Sequence, residues 1–335
     1  MKNILITGAN GFIGKALCSR LASDNKVIGI YNRKKPTSLA NIVWEQTDLT
    51  DVSAVTAICE KYSPDVVIHC AGIAHQKVGA VDSSTYMRVN SESTEKLAKA
   101  ASQVNPDVRF IFLSSVSVYG EGPGITSRKG AKAQKREDCN GIGENGECQP
   151  SSDYACSKLD AERRLIALAD EGILNDLIIL RLAPVYDREW SFNLNRRVLA
   201  PLTITYIRFG SGLQRMSALA RPNLVDFIDF IIRRLRRFSQ IDIFNVCDAE
   251  AYEFNTLIQV FQNSAIRPNR PVISVPLSVV RFATRIAGCL LPDKKRWLYS
   301  CYDKLASSLV FDNERMLKTG FRPRHSLQTI FQSTD

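Results

Sequence analysis

The chain has 335 residues, 45% hydrophobic and 23% charged, with 44 Lys+Arg against 34 Asp+Glu and a net charge of +10. This is the balance of a globular protein large enough for one major and one smaller core, and it excludes a disordered or fibrous chain. Cations spread over many segments favour small anionic ligands, and no motif of a nucleic-acid module occurs.

The nine cysteines form no CxxC pair, and His69, His75 and His325 stand at no zinc-ligand spacing, so no metal site is expected. Free cysteines suit a reducing cytoplasm. The start of the chain runs straight into an apolar strand with no room for a signal peptide. No apolar run approaches the ~18 residues of a membrane span. A soluble cytoplasmic protein is expected.

In chain order, Asn3–Thr7 predicts a strand, Gly8-Ala9-Asn10-Gly11-Phe12-Ile13-Gly14 a glycine-rich turn, and the stripe Ile13, Leu17, Leu21 a helix. This sequence of elements cradles phosphate: glycines permit a tight turn and close backbone approach, and the helix start supplies N–H groups and a positive dipole end. Gly8, Asn10, Gly11, Phe12, Ile13 and Gly14 are therefore candidate dinucleotide-binding residues. A second strand, Lys26–Tyr31, runs into Asn32-Arg33-Lys34-Lys35. A carboxylate here would hold the ribose 2′-hydroxyl of NAD. Cations attract a 2′-phosphate instead, so NADP is expected, with Arg33 as a contact, and NAD is the second choice.

Ile42–Gln46 reads as a third strand, after which Asp48 and Leu49 could meet the adenine. Asp51–Tyr62 has a helical pattern, Asp65–Cys70 is a strand, and Ala71, Gly72 and Ala74 let a cofactor pass close to the backbone. Ser84–Val104 predicts one long helix carrying Asn90, and Val108–Ser114 a further strand. Such alternation indicates an α/β fold with a doubly wound parallel sheet, the Rossmann fold, whose ligands lie beyond the carboxyl ends of its strands. Ser115 falls at one of those ends, beside the expected nicotinamide.

Residues 121–150 lose hydrophobic periodicity and predict a long surface loop. Ser151 or Ser152 then caps a helix whose Tyr154, Lys158, Ala161, Leu165 and Leu168 share one face, stopped near Gly172. Tyr154 and Lys158 are neighbours on its surface. An adjacent ammonium is expected to lower the phenol from its usual ~10 and let it exchange a proton near neutral pH. Asp176–Leu182 reads as a buried strand, and Ile241–Val246 as a strand returning to the first sheet. These place a dinucleotide-binding domain at 1–182 and a smaller α+β substrate-binding domain at 183–335. Asp226–Phe238 predicts an amphipathic helix with a solvated basic end. Pro276–Pro292 holds an apolar helix with Arg281 and Arg285, expected to pack within the second domain rather than touch a membrane.

Taken together, Thr7–Gly14, Asp48-Leu49, Ala71-Gly72, Asn90, the run Ser114-Ser115-Val116-Ser117-Val118-Tyr119-Gly120 and Tyr154-x-x-x-Lys158 resemble the extended short-chain dehydrogenase/reductase family. The resemblance is to its nucleotide-sugar branch, the NAD-dependent epimerases and dehydratases, and it continues through Leu309–Asn313 and Gly320–Pro323. It implies Tyr154 as general acid/base and Lys158 as the residue that binds the nicotinamide ribose and lowers the tyrosine pKa. Ser115 would orient the substrate oxygen while hydride moves between nicotinamide and a sugar carbon. Family dehydratases carry Thr-Asp-Glu where this chain has Ser115-Val116-Ser117, which argues against loss of water across the sugar's C5–C6 bond. The missing carboxylate after the second strand argues for dissociable NADPH over the tightly held NAD of a 4-epimerase.

The second half resembles 4-keto-sugar reductases. This implies that Asn193 contacts the sugar nucleotide and that Arg215, with Arg221 as a rival, contacts its pyrophosphate. Asp187 departs from the family's usual glycine. The expected function is NADP(H)-dependent reduction of a nucleotide-linked 4-keto sugar for surface-polysaccharide precursors. One alternative is a nucleotide-sugar 4-epimerase with bound NAD. Another is an inactive cofactor-sensing regulator, which retention of Ser115, Tyr154 and Lys158 disfavours. A homodimer is expected by family analogy.

Overall fold

The computed structural model describes residues 1–34, 36, 41–74, 81–120, 141–200, 204–234 and 239–332, without the side chains of 296 and 297. The apolar runs of the first half become β1 (Asn3–Thr7), β2 (Lys26–Tyr31), β3 (Ile42–Gln46), β4 (Val66–His69), β5 (Arg109–Ser115) and β6 (Asp176–Leu182). They pair in parallel in the order β3-β2-β1-β4-β5-β6, and strand Ile241–Val246 extends the sheet beside β6. β4 and β6 are buried along their whole length, as continuous Val/Ile/Leu runs require when helices cover both sheet faces. The strand order reverses between β1 and β4, and ligands of such sheets bind at that switch point. The expected Rossmann architecture is thus present.

Two compact units emerge. One comprises Met1–Val118, Glu147–Leu182 and Val225–Phe244; the other comprises Tyr119–Gly146, Ala183–Leu224 and Asn245–Asp335. In the first, α1 (Phe12–Leu21) and α2 (Val52–Tyr62) follow β1 and β3. The helix expected at Ser84–Val104 is instead α3 (Ser83–Met87), a π-helical turn (Arg88–Glu92) and α4 (Ser93–Val104). The π-turn spans only five residues, too few for a periodicity read over the whole segment to resolve. Helix α5 (Asp153–Asp170) carries Tyr154 and Lys158, with the Ser152 side chain accepting from Ala155 N.

The second unit is built from short strand pairs, such as Tyr206–Phe209 with Val272–Val275, around a core that includes Tyr186, Tyr206, Phe261 and Phe331. Two sequence expectations change. The helix assigned to 226–238 starts at Arg221, and residues 235–238 of its basic end lie outside the described residues. Helix Leu277–Leu290 does not bury its apolar side: Gly288 is its one buried residue. Residues 121–140 of the expected loop also lie outside the described residues.

A chain of buried hydrogen bonds ties the end of β4 to the π-turn. Ala71 N–H donates to Thr7 Oγ1 at 3.1 Å. Thr7 Oγ1 lies 2.7 Å from His69 Nδ1, and His69 Nε2 lies 2.8 Å from Thr94 Oγ1. Thr94 spends its own proton on the Asn90 carbonyl at 2.8 Å, so Nε2 must donate and Nδ1 accept, which fixes one neutral tautomer. Burial pushes the His69 pKa down to about 3, with the Lys158 charge adding to the effect.

An unfolded imidazole protonates near pH 6.5. The stabilisation from neutral His69 is therefore full above that pH and is lost as pH falls towards 3. In urea unfolding between pH 6.5 and 4, His69→Gln should lose roughly 3 kcal/mol less stability than wild type. Equal losses would show that His69 does not enter the fold as a neutral ring.

Candidate active site

The glycine turn is shaped by close packing of α1 on the loop before it. A Cβ on Gly14 would stand 2.3 Å from the Gly8 carbonyl oxygen, so no larger residue lets the helix start this close. Gly11 is the N-cap of α1 and no side chain caps the helix. That arrangement leaves the helix start suited to an anion, as a dinucleotide pyrophosphate requires. Asn10 donates to the Lys34 carbonyl at 3.0 Å and ties the turn to the end of β2. Phe12 and Ile13 form the first turn of α1.

Ser115, Tyr154 and Lys158 meet where β5 ends against α5. The Ser115 hydroxyl is close enough to the Tyr154 phenol to hold its pKa down. Ser117, in the 3₁₀ turn after β5, donates to Ser115 Oγ from its hydroxyl at 2.9 Å and its N–H at 3.2 Å. Lys158 donates from Nζ to the Leu113 carbonyl at 2.8 Å and sits 4.6 Å from the Phe112 ring centroid. Desolvation holds its pKa down at about 8. Gly72 passes beside it: a Cβ there would lie 3.5 Å from Lys158 Nζ and 3.1 Å from Asn90 Oδ1. The residues present fit a nicotinamide dinucleotide: a pyrophosphate cradle, a backbone bare of side chain at Gly72, and a buried cation beyond it.

Helix α5 is held at this place by groups that the sequence reading did not single out for the purpose. Arg181 on β6 pairs with Glu162 at 2.7 Å, both buried, and Ser114 on β5 donates to the other Glu162 oxygen. Glu162 lies one turn beyond Lys158, on the same face. Nearer the N-terminus, Ser157 accepts from Asn90 Nδ2 at 3.0 Å.

The chain matches the NAD dependent epimerase/dehydratase family over residues 4–247. It belongs to that family. Across 99% of its length it is 28% identical to a UDP-glucose 4-epimerase of Vibrio cholerae, covering 94% of that protein. It is 26% identical to dTDP-6-deoxy-L-talose 4-dehydrogenase (NAD(P)(+)) of Kitasatospora kifunensis over 184 residues, 54% of this chain and 52% of that one. The fold is that of a UDP-glucose 4-epimerase from Brucella ovis solved with NAD, at a TM-score of 0.73 and 19% identity, covering 99% of this chain and 96% of the other. The chain is an enzyme of this family, the members of which use an NAD-type cofactor.

Family membership does not carry every residue assignment. Tyr154 was expected to be acidified by Lys158. Instead desolvation raises its pKa, the Ser115 hydrogen bond lowers it less, and nearby Tyr86 adds a smaller rise. The ammonium is turned to the Leu113 carbonyl, and the deficit of water costs the phenolate more than this neighbour returns. Asn90 is pinned to the protein: Oδ1 accepts from Ile73 N at 2.7 Å, and Nδ2 donates to Ile73 O at 3.0 Å. It therefore shapes the Ala71–Ala74 loop. Asp48 accepts from Thr50 N at 2.9 Å and Thr50 Oγ1 at 2.8 Å, closing its own turn, and Leu49 packs against the core. Arg33 is exposed after β2.

In the second unit, a cleft of about 440 Å³ is lined by residues including Arg188, Asn195, Tyr206, Arg267 and Arg270, and by neither Asn193 nor Arg215. Asn193 and Asn195 both lie on helix Phe192–Val198, where two residues turn the side chain through about 200°. Arg215 is exposed on a short strand whose next residue, Met216, is buried, the alternation that a strand imposes. Arg221 pairs with Asp187, which accounts for a carboxylate where the family's glycine is usual.

Lys158 is depressed from 10.5 to about 8 in the fold, so below pH 8 the fold carries a buried charge that the unfolded chain solvates freely. Stability from this group rises as pH climbs from about 8 to 10.5, by up to about 3 kcal/mol. Lys158→Met should be more stable than wild type at pH 7, with the gap closing above pH 10 in thermal or urea unfolding. A gap that does not change with pH would show that this ammonium is solvated.

Proposed function

We propose that this enzyme reduces a nucleotide-linked 4-keto sugar with NADPH. The observation that carries the choice is the end of β2, where exposed Arg33 and Lys34 follow Tyr31 and no carboxylate stands at the place that would hold an NAD ribose. Nearby Asp48 is committed to Thr50. When bound, the dinucleotide would supply the hydride. Gly8–Gly14 would hold its pyrophosphate, Arg33 its 2′-phosphate, and Lys158 its nicotinamide ribose. Ala71, Gly72 and Ala74 would flank its path.

The protein's own part is a proton transfer. Ser115 would orient the sugar's carbonyl oxygen, and Tyr154, beside Ser115, would give that oxygen its proton. A raised tyrosine pKa keeps the phenol protonated at neutral pH, the form that a reduction consumes. Val116 and Ser117 offer no second acid, which speaks against a 4,6-dehydratase. Residues from 183 onward would form the substrate domain, with Asn193 and Arg215 as candidate contacts from the sequence. The Arg267–Arg270 cleft is a better-formed candidate for the nucleotide's charge. The relatives named for nucleotide-sugar chemistry support a role in precursor synthesis, and a dimer follows by analogy alone.

A second reading has a specific observation behind it. The relative from Vibrio cholerae that matches nearly end to end is a UDP-glucose 4-epimerase, and an epimerase would keep NAD bound through turnover. Absorbance of the purified protein separates the two. The reductase should emerge without dinucleotide, bind NADPH more tightly than NADH, and lose at least about tenfold of that preference in Arg33→Ala. Protein that co-purifies with stoichiometric NAD would favour the epimerase. Tyr154→Phe should reduce turnover of UDP-, GDP- or dTDP-linked 4-keto sugars by roughly 10²–10⁴-fold; full turnover would remove Tyr154 as the acid.

A further inference from the structure

Helix Leu277–Leu290 of the second unit presents an exposed apolar stripe. Val279, Phe282, Ile286 and Leu290 recur at helical spacing and are between 46% and 75% exposed. This is not the face that packs. On the other side, Gly288 is buried against helix Lys295–Ala306, where an added Cβ would meet Lys295 and Tyr299 at 3.3 and 3.4 Å. A contiguous exposed stripe of this kind marks an interaction surface rather than scattered surface residues.

The charges on the flank between the stripe and Gly288 identify what covers it. Arg281 and Arg285, with Leu277, Ser278, Phe282 and Tyr302, line a cleft of about 460 Å³. Neither arginine has an ion-pair partner among the described residues. Helix Leu277–Leu290 contains no carboxylate, and residues 277–306 hold six cations against two carboxylates. A second copy would add the same uncompensated arginines along the flanks of the seam. An anionic surface with an apolar layer beneath it satisfies both features at once, the geometry of a helix lying in a lipid interface. The helix has 14 residues, and no described helix is long and apolar enough to cross a membrane, so it would lie on a bilayer rather than span it.

We propose that helix Leu277–Leu290 is an interfacial anchor for anionic phospholipid, with Val279, Phe282, Ile286 and Leu290 in the acyl boundary and Arg281 and Arg285 on lipid phosphates. The test is flotation of the full chain with vesicles of phosphatidylglycerol mixed into phosphatidylcholine, and with phosphatidylcholine alone. Wild type should float with the anionic vesicles and remain below with the neutral ones. Phe282→Glu with Leu290→Glu should abolish flotation, and Arg281→Ala with Arg285→Ala should weaken it about 30-fold. All four side chains are exposed, so melting curves should match wild type within the small range of surface substitutions. Wild type left below with anionic vesicles would overturn the proposal, as would flotation unaffected by the glutamates. A wild-type dimer in sedimentation that the two glutamates dissolve would assign the face to a second copy and also overturn it.

Discussion

A carboxylate and a guanidinium buried under the candidate active site decide where Tyr154 stands. Glu162 is an α5 residue, Arg181 a β6 residue and Ser114 a β5 residue, so their contacts fasten the helix bearing Tyr154 to the two strands beneath it. Burying two charges is expensive, and apolar substitutes for such pairs are often as stable or more so. The value of this pair is therefore positional. An apolar contact would leave α5 free to slide by fractions of an ångström, whereas a paired carboxylate accepting from two strands allows one seating.

The same logic runs along one side of α5. Ser157 reaches Asn90, Lys158 reaches the Leu113 carbonyl, and Glu162 reaches Arg181 and Ser114. These polar groups on the buried side are spent on other elements, leaving Tyr154 at the helix start beside Ser115. The buried Lys158 ammonium is a local cost to stability that the contact with the Leu113 carbonyl offsets only in part. The His69 chain does the equivalent work for the other wall, holding β4 and the π-turn so that Asn90 can grip Ile73.

Much of this was legible in the sequence wherever cause and effect lie close along the chain. The glycine turn, the apolar strands and the Tyr154–Lys158 spacing are all local signals, and the parallel sheet followed from their alternation. What escaped depended on phase or on distance. The π-turn shifts helical phase within five residues, too short a span for periodicity to register. Arg181 interrupts an otherwise apolar strand, and Glu162 is the buried charge one helical turn after Lys158. Those two anomalies were the available sign of a pair, but their meeting needs the fold. The acidified tyrosine failed for a related reason: spacing makes Lys158 a neighbour, and only the backbone of β5 shows where its ammonium points.

The account rests on α5 being seated by Glu162, and the rate of hydride transfer in Glu162→Gln tests this most directly, measured beside dinucleotide affinity and a melting curve. Ser114→Ala serves as the milder companion. With the helix loosened, the rate should fall by about 100-fold, since a displacement near 1 Å suffices for that loss, while dinucleotide affinity stays within a few fold because the Gly8–Gly14 turn is untouched. A folded Glu162→Gln enzyme that transfers hydride at the wild-type rate would contradict the account.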